Sequence, residues 1–467
     1  MNKKLLEAEQ LIQTIGKLVQ PVIMGVIEAN RAICRIPIAK DLMEGVMKAG
    51  NVVNPFDPHI PANSNGVMVY INIPFCKGRC AYCPFYTFPY AEERVKPYIE
   101  AVKKEILLYK GKLEDIEIGD VYFGGGTPSL LWKGVVEIID HLRSNFKISG
   151  EIGVEVHPRD VNEEMCDALS DAGISKVSMG VESFDDEELK TMNRRGYDGD
   201  SAIKAIKLLM DRGFYTGIDL MIGCPGQTVS SVLSDLEMAA KTEVHQIYTS
   251  PLLLLPDTMW AIQLKKGKVE FPPAREVVKM FSSIFDFLPS NGYEARAGLY
   301  FKHKRASGMK KEYITMGHAF NIGMGVKAFS IVPPTLTGYV NTFSFEEYIK
   351  AVEEGRFPVT MGASILNQRQ LDKIYHSIGL LLGIDRNDVE RRLNVLMDIG
   401  IYADLNIDKG EFEERTGANV GDVLGNLSFL IPLFLFPLKR LGIIKEDSKE
   451  IKINDDLISG IIARILS

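Results

Sequence analysis

A disulfide framework, a membrane span and a positive overall charge are all missing from this sequence. Its 467 residues carry six cysteines, too few for a stapled secreted scaffold, so a reducing compartment is expected. The most apolar run, LSFLIPLFLFPL at 427–438, is shorter than the ~18 residues that span a bilayer. Pro432 and Pro437 also interrupt it, and a buried helix pair is expected there instead. The opening MNKKLLEAEQ has lysines but puts Glu7 and Glu9 where the apolar core of a signal peptide would begin. No export is expected, and the protein is placed in the cytoplasm. Net charge is −7, which leaves no overall positive field for nucleic acid or anionic lipid. A small-molecule substrate is expected rather than nucleic acid. Charged residues make up 25% and hydrophobic residues 46%, with no low-complexity bias or internal repeat, as in ordinary folded proteins.

What is present is a βα alternation. Leu5, Ala8, Leu11, Ile15, Leu18 and Val22 recur at helical spacing, and a helical extension is expected over 1–65, closing with the loop NPFDPHIPANSNG. From 66 to 335 the β-rich runs VMVYINI, DVYFGG, IGVEVH, KVSMGV, TGIDLMI and HQIYTSPLLLL alternate with helical patterns. Six β/α units of this kind make a parallel sheet, and the expected α/β fold is a partial (β/α)6 TIM-like barrel with ligands at the C-terminal strand ends. Over 336–467 helical patterns and the stretch GIIKEDSKEIKIN predict a small, mostly helical accessory domain.

Directly after the first expected strand stands YINIPFCKGRCAYCPFY, a C-x3-C-x2-C spacing of Cys76, Cys80 and Cys83. Three thiolates placed so can converge on one face of a 4Fe-4S cluster and leave the fourth iron without a protein ligand. The alternative is structural zinc, but that needs four Cys or His ligands, and none of the seven histidines is near this segment in sequence.

These residues resemble the radical S-adenosylmethionine (SAM) superfamily, and more closely its oxygen-independent coproporphyrinogen III oxidase-like family, over about 67–335. The resemblance implies that SAM chelates the open iron through its amino and carboxylate groups and is cleaved reductively to a 5′-deoxyadenosyl radical. Gly124-Gly125-Gly126-Thr127-Pro128 matches the family's segment for the methionine end of SAM, where bare glycine backbone permits close approach. Glu155, at the end of the third strand, is implied as an acceptor for SAM; the alternative is a solvated strand-end acid. KVSMGVESFDDEEL matches the fourth-strand signature, with Glu182 where a glutamine is usual. NRRGYDG brings Arg194 or Arg195 to the place of a SAM-contacting arginine, with Gly196 where a histidine is often found. In GIDLMIGCPGQT the resemblance implies that Asp219 faces the ligand; Cys224 is also read as a small buried hydrophobe. NGYEARAG and NIGMGVKAFS at 321–330 resemble the end of the catalytic domain, and FEERTG near 412 the family's C-terminal domain.

Members of that family decarboxylate a porphyrinogen, methylate aromatic or tetrapyrrole substrates with two SAM molecules, or carry heme. The decarboxylating type resembles C-x3-C-x2-C-x-C, whereas Pro84-Phe85 follows Cys83 here. Tyr70 is retained, but the histidine usual two residues on is Asn72. The resemblance implies Tyr70 at a second ligand, as the candidate catalytic residue, and one SAM or two. The CPFY ending resembles members that open heme by radical methyl transfer. KHKR at 302–305 with Lys310 and Lys311 is either a carboxylate dock or a solvated basic loop. The expected function is an oxidoreductase or methyltransferase that works by hydrogen abstraction or radical methyl transfer on a tetrapyrrole or related aromatic, fed by ferredoxin or flavodoxin. The alternative is a heme-trafficking protein without SAM turnover.

Overall fold

A computed structural model of the chain describes residues 31, 51–52, 67–85, 87–113, 117–255, 257–295, 299–306, 321–332 and 337–364, with short segments at 407–408, 444–446 and 450–453. Apart from Arg31, in a helix, and the strand pair Asn51–Val52, the extension expected over 1–65 lies outside these residues, as do the 427–438 run, FEERTG, and Lys310 and Lys311.

The chain folds where its apolar runs dictate. β1 (Val67–Ile73) is buried at every position but Tyr70, the pattern of a strand covered on both faces. After it come α1 (Glu92–Leu108), β2 (Ile118–Gly125), α2 (Trp132–Asn145), β3 (Ile152–Val156), α3 (Glu163–Asp171) and β4 (Lys176–Glu182). The series continues with α4 (Asp186–Thr191), α5 (Gly199–Asp211), β5 (Tyr215–Ile222), α6 (Val229–Lys241), β6 (Gln246–Pro251), α7 (Met259–Lys265) and α8 (Ala274–Ser290). β1 to β6 pair in parallel, each with the next. The helices turn apolar stripes such as Val135, Ile138, Ile139 and Leu142 of α2 into one continuous core. Capping boxes, Asp198 with Ser201 and Thr228 with Ser231, start α5 and α6, so the loops that leave β4 and β5 end at defined points.

The expected α/β architecture, an open partial barrel with a parallel sheet, is what the structure has, with more strands than the sequence patterns indicated. β7 (Tyr293–Ala295) and β8 (Tyr300–His303) extend the sheet antiparallel beyond β6. β9 (Asn321–Met324) lies parallel to β1 on its other side, as a seventh parallel strand. β10 (Phe329–Val332), β11 (Thr337–Asn341) and β12 (Val359–Ser364) follow antiparallel, and Asn51–Val52 pairs outside them. The order β12-β11-β10-β9-β1-β2-β3-β4-β5-β6-β8-β7 does not close. The sheet therefore runs past residue 335 to Ser364. Residues 407–408, 444–446 and 450–453 form a separate antiparallel sheet of three short strands.

A buried carboxylate joins this later part to the barrel. Glu105 on α1 is fully buried, and it accepts from Gly325 N at 2.7 Å, Tyr348 Oη at 2.7 Å and Asn341 Nδ2 at 2.8 Å. Tyr348 belongs to α9 (Phe345–Glu353), which packs on α1. Burial pushes the Glu105 carboxyl from an ordinary 4.5 up to about 7, against the pull of its three donors. Glu105→Ala leaves those donors without their acceptor and is expected to cost about 2–4 kcal/mol in denaturant unfolding. Because the folded protein holds this proton more tightly than the unfolded chain, the contribution is full below pH 4.5 and is lost as pH rises to about 7. Glu105→Gln should flatten that part of the stability profile; an unchanged profile would remove Glu105 from it.

Candidate functional site

A cavity of about 670 Å³ opens at the C-terminal ends of β2 to β6, where a parallel sheet with helical crossovers presents its ligand loops. Ten of the expected residues line it: Cys76, Cys80, Cys83, Gly125, Gly126, Thr127, Glu155, Glu182, Arg194 and Asp219. Arg195, the alternative to Arg194, reaches it as well. Two expected residues stand behind the wall. Gly124 lies beneath two tyrosines, and a Cβ there would meet Tyr70 Cε2 at 2.9 Å and Tyr122 Cε1 at 3.0 Å. Tyr70 itself packs on Tyr122 with ring centroids 6.0 Å apart, its Oη 3.4 Å from Asn72 Oδ1. Of these two tyrosines, Tyr122 lines the cavity.

The glycine run has a steric cause. Gly125 has φ +117°, and a Cβ would fall 2.1 Å from Asn72 Oδ1; at Gly126 it would fall 2.6 Å from Phe75 O. Side chains at these positions would push the cysteine loop off the end of β2. That loop is held at several points. The pair Phe75–Cys76 runs parallel to Phe88–Pro89. Ala81 N donates to Met192 O at 2.8 Å, Trp260 N to Ala81 O at 3.0 Å, and Asn193 Nδ2 to Arg79 O at 2.7 Å. Cys76 Sγ shares a hydrogen bond with Thr127 Oγ1 at 3.3 Å, and Arg194 Nη1 donates to Cys80 Sγ at 3.7 Å.

All three thiols are free and half-buried. Burial pushes Cys76 up and Cys83 up to about 12, so a strongly binding metal must displace their protons. Among the described residues no three Cys, His, Asp or Glu side chains gather around a single ion position. A cluster needs no such gathering, because each thiolate takes its own iron. The donor set, three free thiols on one wall of a cavity, fits a cluster better than it fits one zinc ion.

Behind the thiols lies a buried charge array. Glu155 accepts from Tyr122 Oη at 2.7 Å and Gly125 N at 3.2 Å. Its carboxyl is pushed up to about 7 by burial, opposed by the Gly125 N–H and reinforced by Glu182. Glu182 follows a register shift in β4 and has φ +69°, a left-handed backbone that costs a side-chain-bearing residue about 1–3 kcal/mol and recurs at functional sites. Its Oε1 is 3.9 Å from Arg194 Nη2. Asp219 accepts from Ser178 Oγ at 3.3 Å. Burial holds it well above the usual carboxylate range, with Glu182 and Glu155 adding to the effect. Arg194 also bonds Gly180 O and donates from Nε to Tyr197 Oη at 3.2 Å, and Tyr197 Oη donates to Val181 O at 2.5 Å.

Several lining residues escaped the sequence reading. Tyr82 sits inside the cysteine motif and lines the cavity with Glu182; its place between two cysteines was the available signal. Tyr122 precedes the glycine run by two residues, and His157 follows Glu155 by two, the spacing that puts strand neighbours on one face. Tyr248 and Tyr300 stack at 4.3 Å with an 18° tilt on the far wall. Phe85 and Leu253, 64% and 61% exposed, stand at the mouth. The KHKR segment is elsewhere. β8 runs antiparallel to β6, so Lys302 pairs with Gln246 at the N-terminal end of β6, and Arg305 pairs with Glu243. That is the end of the strand opposite the cavity, and KHKR is no dock for its ligands.

The radical SAM superfamily model matches residues 70–239. Heme chaperone HemW of Bacillus subtilis is 26% identical over 316 residues, 65% of this chain and 80% of the relative. Oxygen-independent coproporphyrinogen III oxidase of Escherichia coli is 26% identical over 306 residues, 61% of this chain and 65% of that one. The solved structure of the Escherichia coli coproporphyrinogen III oxidase (HemN) superposes with TM-score 0.63 at 22% identity, over 86% of this chain and 90% of that one. This likeness shows the shared fold. No helix among the described residues is long and apolar enough to cross a membrane.

Because Glu182 helps hold up its neighbour, Glu182→Gln is expected to bring the Glu155 midpoint down from about 7, while burial keeps it above 4.5. Infrared difference titration of the carboxyl band reads this; an unmoved midpoint would show that the two acids do not couple.

Proposed function

We propose that this chain, whose residues 70–239 match the radical SAM superfamily model, binds SAM in its cavity beside a 4Fe-4S cluster held by Cys76, Cys80 and Cys83. The observation that carries the reading is the convergence on one cavity of three free thiols, a bare glycine turn, three carboxyl groups and Arg194. When bound and reduced, such a cluster supplies the electron that breaks the sulfonium C–S bond of SAM. The chain's own residues bind and orient. Gly125 and Gly126 leave backbone room for the methionine end of the cofactor, and Glu155, Glu182 and Asp219 offer carboxyl oxygens as acceptors to its cationic and hydroxyl groups. Arg194, beside Cys80, offers a cation to its carboxylate.

A tetrapyrrole at the same mouth is the second half of the proposal. The stacked Tyr248–Tyr300 pair and the exposed Phe85 and Leu253 form an aromatic and apolar rim suited to the face of a planar macrocycle. Relatives named as heme chaperones and as coproporphyrinogen oxidases both handle this class of molecule by name. The heme-chaperone role is the specific reading we favour, because HemW of Bacillus subtilis and of Haemophilus influenzae are matched over 80% and 89% of their own length, against 65% for the Escherichia coli oxidase. Radical turnover, by hydrogen abstraction or methyl transfer, is the second reading, favoured by the ten expected residues that line the cavity. A cytoplasmic site of action and a ferredoxin or flavodoxin donor accompany either.

Anaerobic reconstitution, dithionite reduction with SAM, and mass spectrometry separate the readings. Heme bound one to one with neither 5′-deoxyadenosine nor S-adenosylhomocysteine accumulating is the expected outcome for a chaperone. Sustained 5′-deoxyadenosine alone would shift the assignment to hydrogen abstraction, and both products together to methyl transfer. Absence of SAM binding by the reconstituted protein would contradict the cofactor site itself.

A further inference from the structure

His157 lines the cavity with the cysteines and Arg194, yet none of the roles above uses it. Two contacts hold its ring and a third holds its backbone, and the residue is only 8% exposed. Its backbone N–H donates to Ser129 Oγ at 3.0 Å, and the hydroxyl of Ser129 donates in turn to Asp160 Oδ2 at 2.9 Å. Nδ1 accepts from the backbone N–H of Arg159 at 3.2 Å. The ring stands edge-on to Tyr197, with centroids 5.1 Å apart at 88°. A ring nitrogen that accepts carries no proton, so the neutral imidazole is the Nε2–H tautomer. Among the described residues the buried polar atoms left without a partner are Tyr109 Oη and His141 Nε2. His157 Nε2 is not one of them, and no described group accepts from it, so its proton faces the cavity.

The surroundings define what this donor takes. Burial first, then Arg194, Arg159 and Lys77, push the imidazole down to about 2, so it stays a neutral donor in a local positive field throughout the working pH range. Such a field favours an anion, and a planar pair of oxygens can meet a fixed N–H and a guanidinium together. Arg194 supplies that guanidinium, with Nη1 3.7 Å from Cys80 Sγ. We propose that His157 is a carboxylate-recognition residue of this cavity, donating from Nε2 to a carboxylate oxygen of the bound ligand. The inference rests on the SAM-binding reading. The carboxylate has two sources, the aminoacyl end of SAM or an acidic side chain of a bound macrocycle.

The test uses the full-length protein reconstituted anaerobically, with cluster absorption and thermal midpoint recorded for each variant. Equilibrium dialysis gives Kd for SAM and for decarboxylated SAM with wild type, His157→Ala and His157→Gln. Loss of one hydrogen bond to a charged group weakens binding about ten- to a hundredfold. That loss is expected for SAM in His157→Ala, with decarboxylated SAM unaffected and His157→Gln, which keeps a donor, recovering part. Fluorescence titration with coproporphyrin III and its tetramethyl ester examines the other source. If the free acid alone weakens, the carboxylate is the macrocycle's and the assignment of His157 stands. Equal loss with and without the carboxylate, or no loss for any ligand, would overturn it. If wild type itself fails to bind SAM, the cofactor reading falls and takes this inference with it; normal wild-type binding with unaltered variants sinks the inference alone.

Discussion

Arg194 is the interaction on which the site depends. Buried among polar groups, its guanidinium reaches Gly180 O, Tyr197 Oη, Glu182 and the thiol of Cys80. A buried charge is tolerated only where partners replace the water it gave up, and these partners come from three parts of the fold. β4 supplies the carbonyl and the carboxylate, the segment before α5 the phenol, and the cysteine loop the sulfur. The cation thus fixes the cysteine loop relative to the strand ends, and it leaves positive charge pointing at the thiols.

Charge is segregated around it. Glu182 is buried and Glu155 and Asp219 are half-buried at the strand ends, and each is pushed toward its neutral form. Lys77, Arg79 and Arg195 are exposed around the same cavity. Carboxylates held near neutrality can trade a proton for a cationic ligand, whereas three fully ionised acids in so small a space would repel one another. A zwitterionic cofactor with a sulfonium centre and an aminocarboxylate end is complementary to that array. The strained backbone at Glu182 fits the same picture, since strain of this kind persists only where the surrounding structure holds it.

Much of this was legible in the amino-acid sequence, for identifiable reasons. VMVYINI and TGIDLMI are long apolar runs that only buried parallel strands accommodate, and the C-x3-C-x2-C spacing and glycine run mark their own positions. β9 was hidden because NIGM is four residues long and owes its burial to pairing with β1. A period or propensity cannot be read from so short a piece. The two readings of KHKR, dock or solvated basic loop, stayed open because strand direction is a tertiary fact: β8 returns antiparallel, which carries its C-terminal end to the far side of the barrel. Tyr82, Tyr122 and His157 were missed because a strand or loop neighbour enters a site only once the backbone direction at that point is known. Tyr70 shows the converse, a residue that matches the family pattern and yet stands one layer behind the cavity wall.

The claim that these features form one cofactor site is tested most directly by counting iron and sulfide in the anaerobically reconstituted protein beside Cys80→Ala. Wild type should take up about four irons with the absorption of a thiolate-bound cluster, and Cys80→Ala should keep its fold but lose both. A variant that retained the full iron content would show that the cluster, if there is one, is held elsewhere, and the site described around Arg194 would have no metal to serve.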